Sequence, residues 1–521
     1  MQNNSQSTHT QMGVEHHMHH TDNSLHSTYP ALEAYTIVII FVLIGIWYLR
    51  RIGEQTFSNK AHSWRFDLFR IPGLENLVKW RFFSYFIRSI PAFLFITVLV
   101  TGFWGNTRTS FAAPFTWLFW WTLLIVFVAF AGKIFCAACP WDFFANLFEF
   151  GWIKRKKITS QSVNLKWPRF LANIYLASGL FIVLTWLELG YGITKSSYIT
   201  AWLGLGFIAL IIVCALLFER RSFCRFGCPI GRISGVYSQF SPLELRVKNK
   251  STCNTCTDHA CVRGTDQSTP CPTFQIPYRL RENTYCTLCT ECIRSCDKNN
   301  LTIKMRPLGT DLYNAKTARS DEVLLTVIIF VLTFFHGLTM TPTWFDWTSK
   351  FSLKFDLIYI QSFTILMAAL LGAGFLFFSN FIKLIQVRYR LPKISAGLIM
   401  SFIPLVLGYH LGHNFMHLFE ELTNLVPLIN DPFGRNWNIW GWQNFQPFPL
   451  IEHKVIKYLQ FFAIIIGFWY SAKTLRSRIE QIAPTKSTAT ALYLSHYIVL
   501  ISMGILALWF VYQPMAMRSG F

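Results

Sequence analysis

The chain has 521 residues, 52% hydrophobic and only 14% charged, with fifty Phe, nineteen Trp and a mean hydropathy of +0.35. That is far more apolar and aromatic surface than one soluble core uses, so a soluble globular protein is excluded. The formal net charge of +21 would suit nucleic acid, but it is confined to alternate connections between apolar runs, which makes it a topology signal and excludes nucleic acid as the partner.

Residues 1–32 are polar and are expected to form a disordered tail carrying His9, Met12, His16, His17, Met18, His19, His20 and His26. Such tracts bind metal by composition rather than as a shaped site. Ten apolar runs then approach the ~20 residues that cross a hydrocarbon core. They are 33–50, 88–106, 115–133, 168–189, 199–218, 322–342, 356–380, 394–412, 457–472 and 490–511. The first stands too far behind a polar leader to be a cleaved signal and is read as an anchor. The expected fold is mainly α, a polytopic helical membrane protein of about ten spans. Five spans form a first membrane block (33–218), a polar insert follows (219–320), and five spans form a second block (321–521).

Basic residues gather after every odd-numbered span. Arg50, Arg51, Lys60, Arg65 and Arg70 follow the first; Lys154, Arg155, Lys156 and Lys157 the third; Arg220, Arg221 and Arg225 the fifth. Lys383, Arg388, Arg390 and Lys393 follow the seventh, and Lys473, Arg476 and Arg478 the ninth. The intervening connections carry little beyond Arg108 and Lys195. The positive-inside rule then puts both termini outside and the insert in the cytoplasm, in a bacterial cytoplasmic (inner) membrane, with some attraction to anionic membrane lipid. The long outer connection 413–457 holds Trp437, Trp440, Trp442, Phe445 and Phe448, aromatics that mark the membrane interface or dock a partner.

The third run ends on Cys136-Ala137-Ala138-Cys139-Pro140, and the fifth on Cys224-Arg225-Phe226-Gly227-Cys228-Pro229. Proline after the second thiol keeps the chain from continuing as a regular helix and can hold the thiols on a turn. Four thiols from two helix ends could form a metal site, a redox disulfide pair or a third cluster, or could stay unligated in a reducing compartment. Cys214 has no partner spacing and reads as a small core residue.

Eight more cysteines lie in the insert. Cys286-x2-Cys289-x2-Cys292-x3-Cys296 matches the bacterial ferredoxin run in every interval, and Cys253-x2-Cys256-x4-Cys261-x9-Cys271-Pro272 is a stretched version of it. Zinc would ask for two separated pairs, and disulfides for an oxidising compartment. In two-cluster ferredoxins the distant cysteine of each run serves the other cluster. That rule assigns Cys253, Cys256, Cys261 and Cys296 to one [4Fe–4S] cluster, and Cys286, Cys289, Cys292 and Cys271 to a second, within a small ferredoxin-like α+β insert.

The order of basic loop, span, C-x2-C-P, spans, C-x3-C-P and paired ferredoxin runs, over roughly residues 60–310, resembles the NapH/NosR/CcoG group of membrane polyferredoxins. The segment Phe223-Cys224-Arg225-Phe226-Gly227-Cys228-Pro229-Ile230-Gly231-Arg232 carries the likeness most specifically. The resemblance implies electron transfer between the quinone pool or the cytoplasm and a redox process outside, with redox partner proteins on one or both sides. Three departures stand out. The first pair is C-x2-C-P where that group usually has C-x3-C-P, Asp297 follows Cys296 in place of Pro, and no large flavin-binding domain precedes the first span. The five C-terminal spans fall outside the resemblance.

Those spans carry histidines. His410, His413 and His417 are spaced to share one helical face, and His336 stands about two-thirds of the way along the sixth span, with Met340 one turn later. Ionisable residues in a span default to function. These four could ligate b-type haem or copper, or hydrogen-bond between helices. No convergent acid–base set, nucleotide loop or nucleophile motif appears, so no catalytic site of the chain's own is indicated. The leading reading is a membrane-bound iron–sulfur electron-transfer protein. The alternative is a factor that reduces or hands over copper during assembly of a respiratory oxidase or reductase. A transporter-like role for the last five spans lacks the charged midplane residues it would need.

Overall fold

The computed structural model describes residues 29–53, 64–80, 82–151, 160–266, 268–313, 319–350 and 357–513, and the His-rich segment 1–28 lies outside them. The principal helices are α1 (Tyr29–Arg50), α2 (Phe83–Trp104), α3 (Trp121–Ala131), α4 (Pro140–Phe150), α5 (Tyr175–Thr185), α6 (Ser197–Leu217), α7 (Pro229–Tyr237), α8 (Ser320–Leu338), α9 (Leu357–Tyr389), α10 (Ile403–Glu421), α11 (His453–Ile482) and α12 (Lys486–Tyr512). With the turns that prolong α3 and α10 at their starts, nine helices among the described residues are long and apolar enough to cross a membrane. The protein is therefore a mainly α, multi-pass membrane protein that contacts lipid.

The run expected at 168–189 is the exception to the ten. After Pro168 the chain makes one turn, Arg169–Leu171, and the Asn173 side chain accepts from the Tyr175 N–H at 3.0 Å, so the helix begins only at Tyr175. It closes in a π turn, Trp186–Gly190, which leaves Tyr175–Gly190, roughly 24 Å of helix, against a core of about 30 Å.

Helices α10 and α11 make the closest pair in the bundle. A Cβ at Gly408 would stand 2.4 Å from the Ala463 carbonyl oxygen, and one at Gly467 2.5 Å from that of Pro404, so only glycine lets the two backbones meet. The approach is secured by hydrogen bonds: Gln460 Nε2 donates to the Gly412 carbonyl (2.9 Å), and the Leu405 N–H, near the helix start, donates to Ser471 Oγ (2.9 Å). α1 packs on this pair's outer side. Phe41 stacks on Phe468 at 3.8 Å, and the Tyr497 hydroxyl donates to the Phe41 carbonyl. The first helix thus sits in space with the last two rather than with the spans that follow it.

The insert is organised on a three-stranded antiparallel sheet, ordered β1 (Phe66–Asp67), β3 (Leu301–Met305), β2 (Leu243–Val247), in which Leu243 and Phe66 both face Met305. Its edge strand therefore comes from the connection between α1 and α2. Val78 from the same connection joins Leu245, Leu288, Ile293 and Leu301 in the insert's core. Beneath the sheet Arg306, fully buried, is held by Asp311 and by Glu244 at 3.1 Å.

The cysteine–proline segments turn back into the bundle. Gly132 takes a positive φ of 63° and reverses the chain after α3, after which Cys139 and Pro140 start α4. Trp141 stacks on Phe207 of α6 at 5.0 Å and meets Phe95 of α2 edge-on at 6.2 Å. Cys228 and Pro229 start α7, in which every residue is buried. Proline at the first helical position is pre-shaped for this start.

Replacing Gly408 or Gly467 by Val should lower the thermal unfolding midpoint of the detergent-solubilised protein by several degrees, since overpacking costs about 1–3 kcal/mol. Gly372, with nothing within 4 Å of its would-be Cβ, should accept Ala without loss. Equal tolerance at all three positions would contradict the close approach.

Candidate functional site

Every cysteine but Cys214 belongs to one of three sets of four. In the insert, Leu288 and Thr290 adopt left-handed conformations, φ 55° and 64°, which wind the Cys286–Cys292 loop so that its thiols share one side. Cys271 joins them. All four line one cavity, walled also by Leu245, Pro277 and Leu280. The Gln275 N–H points at Cys271 Sγ (3.3 Å). Burial pushes the Cys289 thiol up to about 12, and those of Cys286 and Cys292 upward as well.

The second set is Cys253, Cys256, Cys261 and Cys296. Burial, then the neighbouring Cys296, Cys253 and Cys256, push the Cys261 thiol up to about 11, and Asn300 Nδ2 donates to Cys253 Sγ at 3.2 Å. The fold thus brings the distant cysteine of each run to the other run's loop.

The third set is Cys136, Cys139, Cys224 and Cys228, whose thiols are electrostatic neighbours; burial raises those of Cys139, Cys224 and Cys228, the last to about 11. Cys228 Sγ accepts the Gly231 N–H at 3.3 Å, capping α7. Two buried cations stand beside this set. Lys133, 1% exposed, donates to the Thr284 carbonyl at 3.4 Å, and burial lowers its ammonium to about 8. Arg232, also 1% exposed, has no hydrogen bond from any guanidinium nitrogen and lies 4.6 Å from the Tyr285 ring centre. Among the described residues neither cation is in an ion pair.

Ion pairs fix the segments that carry these thiols. Arg88 of α2 donates to the Ala137 carbonyl (2.9 Å), inside the Cys136–Cys139 turn, and pairs with Asp142 at 3.1 Å. Arg221, three residues before Cys224, pairs with the same Asp142 at 2.7 Å and with Glu149. Burial alone would raise the Asp142 carboxyl; Arg88 and Arg221 more than offset that and hold it below the usual range.

Among the described residues no three His, Cys, Asp or Glu side chains close on one point at the spacing of a single metal ion. An iron–sulfur cluster asks for something else, one thiolate per iron around a larger body. The donor chemistry fits such a group: each set offers four soft sulfur donors, and each has an N–H aimed at a sulfur or buried cations at its side. Thiols that burial keeps protonated become stable anions only beside cations, and a thiolate-ligated cluster is itself an anion that Lys133 and Arg232 would neutralise.

The histidines divide. His336 of α8 and His413 of α10 meet at 5.1 Å between ring centres, and His413 meets His417 at 5.2 Å. Carboxylates back the two ends, Glu421 at 2.7 Å from His417 Nδ1 and Glu188, on the π turn after α5, at 4.0 Å from His336 Nδ1. The His336 and His413 rings meet edge-on. His410 turns the other way, with Nδ1 3.2 Å from the Tyr237 hydroxyl at the end of α7. Sequence reasoning passed over Glu188, Glu421, Lys133 and Arg232, although an ionisable residue inside or beside an apolar run is a readable signal.

No known protein family and no solved structure matches the chain. Over 182 residues it is 28% identical to an uncharacterized protein of Methanocaldococcus jannaschii, a stretch covering 34% of this chain and 67% of that one. Over 125 residues it is 29% identical to the Escherichia coli protein named "Putative electron transport protein YccM", covering 24% of this chain and 32% of the relative. The chain thus matches about a third of the Escherichia coli protein's length.

Arg221→Met should destabilise the solubilised protein by about 3–5 kcal/mol, because it takes the cationic partner from buried Glu149 and leaves Asp142 with Arg88 alone, and Arg221→Lys should recover part of that. Thermal unfolding of the three proteins measures it. An unchanged midpoint in Arg221→Met would show that the network carries no stability.

Proposed function

We propose that this protein is a membrane-bound iron–sulfur electron carrier of the NapH/NosR/CcoG type. The observation that carries the reading is the gathering of twelve of the thirteen cysteines into three sets of four. Similarity to a protein named for electron transport points the same way. Bound by Cys253, Cys256, Cys261 and Cys296, and by Cys286, Cys289, Cys292 and Cys271, [4Fe–4S] clusters would supply one-electron redox centres. The chain's own residues then set the working conditions. Asn300 and the Gln275 amide direct hydrogen bonds at the thiols of Cys253 and Cys271, and hydrogen bonds and burial are the protein's levers on potential. Lys133 and Arg232 favour an anionic centre at Cys136, Cys139, Cys224 and Cys228, the set placed between the insert and the bundle.

The charge alternation puts the insert on the cytoplasmic side of a bacterial inner membrane and both termini outside. Electrons would run between the cytoplasm or the quinone pool and an acceptor on the other face. A second reading, a copper-reducing or copper-trafficking assembly factor, is favoured by the carboxylate-backed imidazoles, because metal-binding histidines usually donate their second nitrogen to such a partner.

Anaerobically purified protein should contain iron and sulfide at about eight per chain for the insert, and about twelve with the third set filled. Dithionite should produce the paramagnetic resonance of interacting reduced clusters. Cys289→Ser should remove one cluster. Cys139→Ala and Cys228→Ala should each abolish the third centre, with the double variant no worse than either. Iron well below eight per chain would end the iron–sulfur reading, and stoichiometric copper without iron would favour the second.

Reporter fusions after Arg221 should behave as cytoplasmic and one after Gln443 as periplasmic. An active periplasmic phosphatase after Arg221 would reverse the assignment of sides.

A further inference from the structure

A cavity of the insert, about 530 Å³, has six cations on its walls, Arg65, Arg246, Lys248, Lys250, Arg281 and Arg306, against three acids, Glu244, Glu282 and Asp311. The acids at its floor are already taken. Glu244 pairs with Arg65 at 2.7 Å and with Arg306 at 3.1 Å, while Asp311 pairs with Arg306 and lies 3.8 Å from Arg246. At the rim, Lys248, Lys250 and Arg281 are exposed, and among the described residues Lys250 and Arg281 are in no ion pair. The rim therefore carries an uncompensated positive charge around a concave opening, which attracts and orients an anionic partner.

The position of this cavity gives it a use. Pro277 and Leu280 line it and also line the cavity of Cys271, Cys286, Cys289 and Cys292, so the two spaces share a wall. We propose that the basic pocket is the docking site of an acidic, soluble one-electron carrier protein, which seats carboxylates of a protruding loop among Lys248, Lys250 and Arg281 and exchanges electrons through the Pro277–Leu280 wall. The inference rests on cluster binding by those four cysteines. The step is balanced: the reduced carrier loses one electron, the oxidised cluster gains it, and no proton or group moves. A nicotinamide nucleotide would match the charge but delivers electrons in pairs as hydride, and the chain has no nucleotide-binding loop or flavin motif to split them.

The test uses full-length protein in detergent, with a reduced acidic plant-type ferredoxin as carrier and reduced methyl viologen, a small cation that needs no basic dock, as control. Stopped-flow absorbance follows cluster reduction. Ferredoxin should reduce the wild-type protein fast at low salt, with a rate that falls steeply as salt rises. The triple variant Lys248→Glu, Lys250→Glu, Arg281→Glu should react with ferredoxin at least ten-fold more slowly and with little salt dependence, while its iron content and its viologen rate stay at wild-type values. An unchanged ferredoxin rate in that variant would overturn the docking site, as would equal slowing with both donors. Wild-type protein that holds no iron and is reduced by neither donor would instead overturn the cluster reading.

Discussion

Four buried charges at the insert-facing end of the bundle hold the rest in place. Asp142 bridges Arg88 and Arg221, and Arg221 also takes Glu149, so one carboxylate ties the start of α2, the helix after Cys139 and the residue leading to Cys224. Charges this deep are tolerated only when paired, and removing one partner strands the others. The cluster of charges is therefore a positional constraint more than a source of stability: the segments carrying Cys139 and Cys224 can pack only in the arrangement that satisfies all four. That arrangement puts the thiols of both segments together.

The same low-dielectric setting explains the opposite treatment of Lys133 and Arg232. These cations are as deeply buried as Arg221, yet neither is in an ion pair with a carboxylate; they face thiols and an aromatic ring. A carboxylate partner would cancel them. On the iron–sulfur reading, leaving them to the thiols would suit the site to a negatively charged sulfur-ligated body. The two kinds of arginine, paired and reserved, stand within one short stretch of chain, Arg221 to Arg232.

Much of the membrane architecture was legible from hydropathy, because a span is decided by a local run of apolar residues and nine such runs did become long helices. The shortened run at 168–189 was not, since its loss of a turn follows from the small hydrogen bond at Asn173. Nor was the return of α4 and α7 into the bundle. Asp142 and Glu149 look like solvent-facing residues until their partners, 54 and 72 positions away along the chain, are placed beside them. The grouping of the insert cysteines followed from the exchange rule for paired ferredoxin runs, which is a statement about three dimensions written in spacing. The histidines show the limit of helical periodicity. His410, His413 and His417 do share a face, but α10 contacts α7 at one level and α8 at the next, so neighbouring helices sort the three into two environments.

That sorting links the two ends of the molecule. α7 begins at Cys228, beside the third thiol set, and ends at Tyr237, whose hydroxyl meets His410. From His410, α10 carries further polar side chains: His413, then Asn414, hydrogen-bonded to Thr122 at 3.0 Å, then His417 and finally Glu421. An electron placed at the thiol set adds negative charge to a medium that screens charge poorly. On the electron-transfer reading, the polarisable hydroxyl, imidazole and amide groups along α10 would lower the electrostatic cost, and an all-apolar helix would not. The second membrane block, which lies outside the resemblance to known polyferredoxins, would on that reading shape the dielectric path beyond the thiol set.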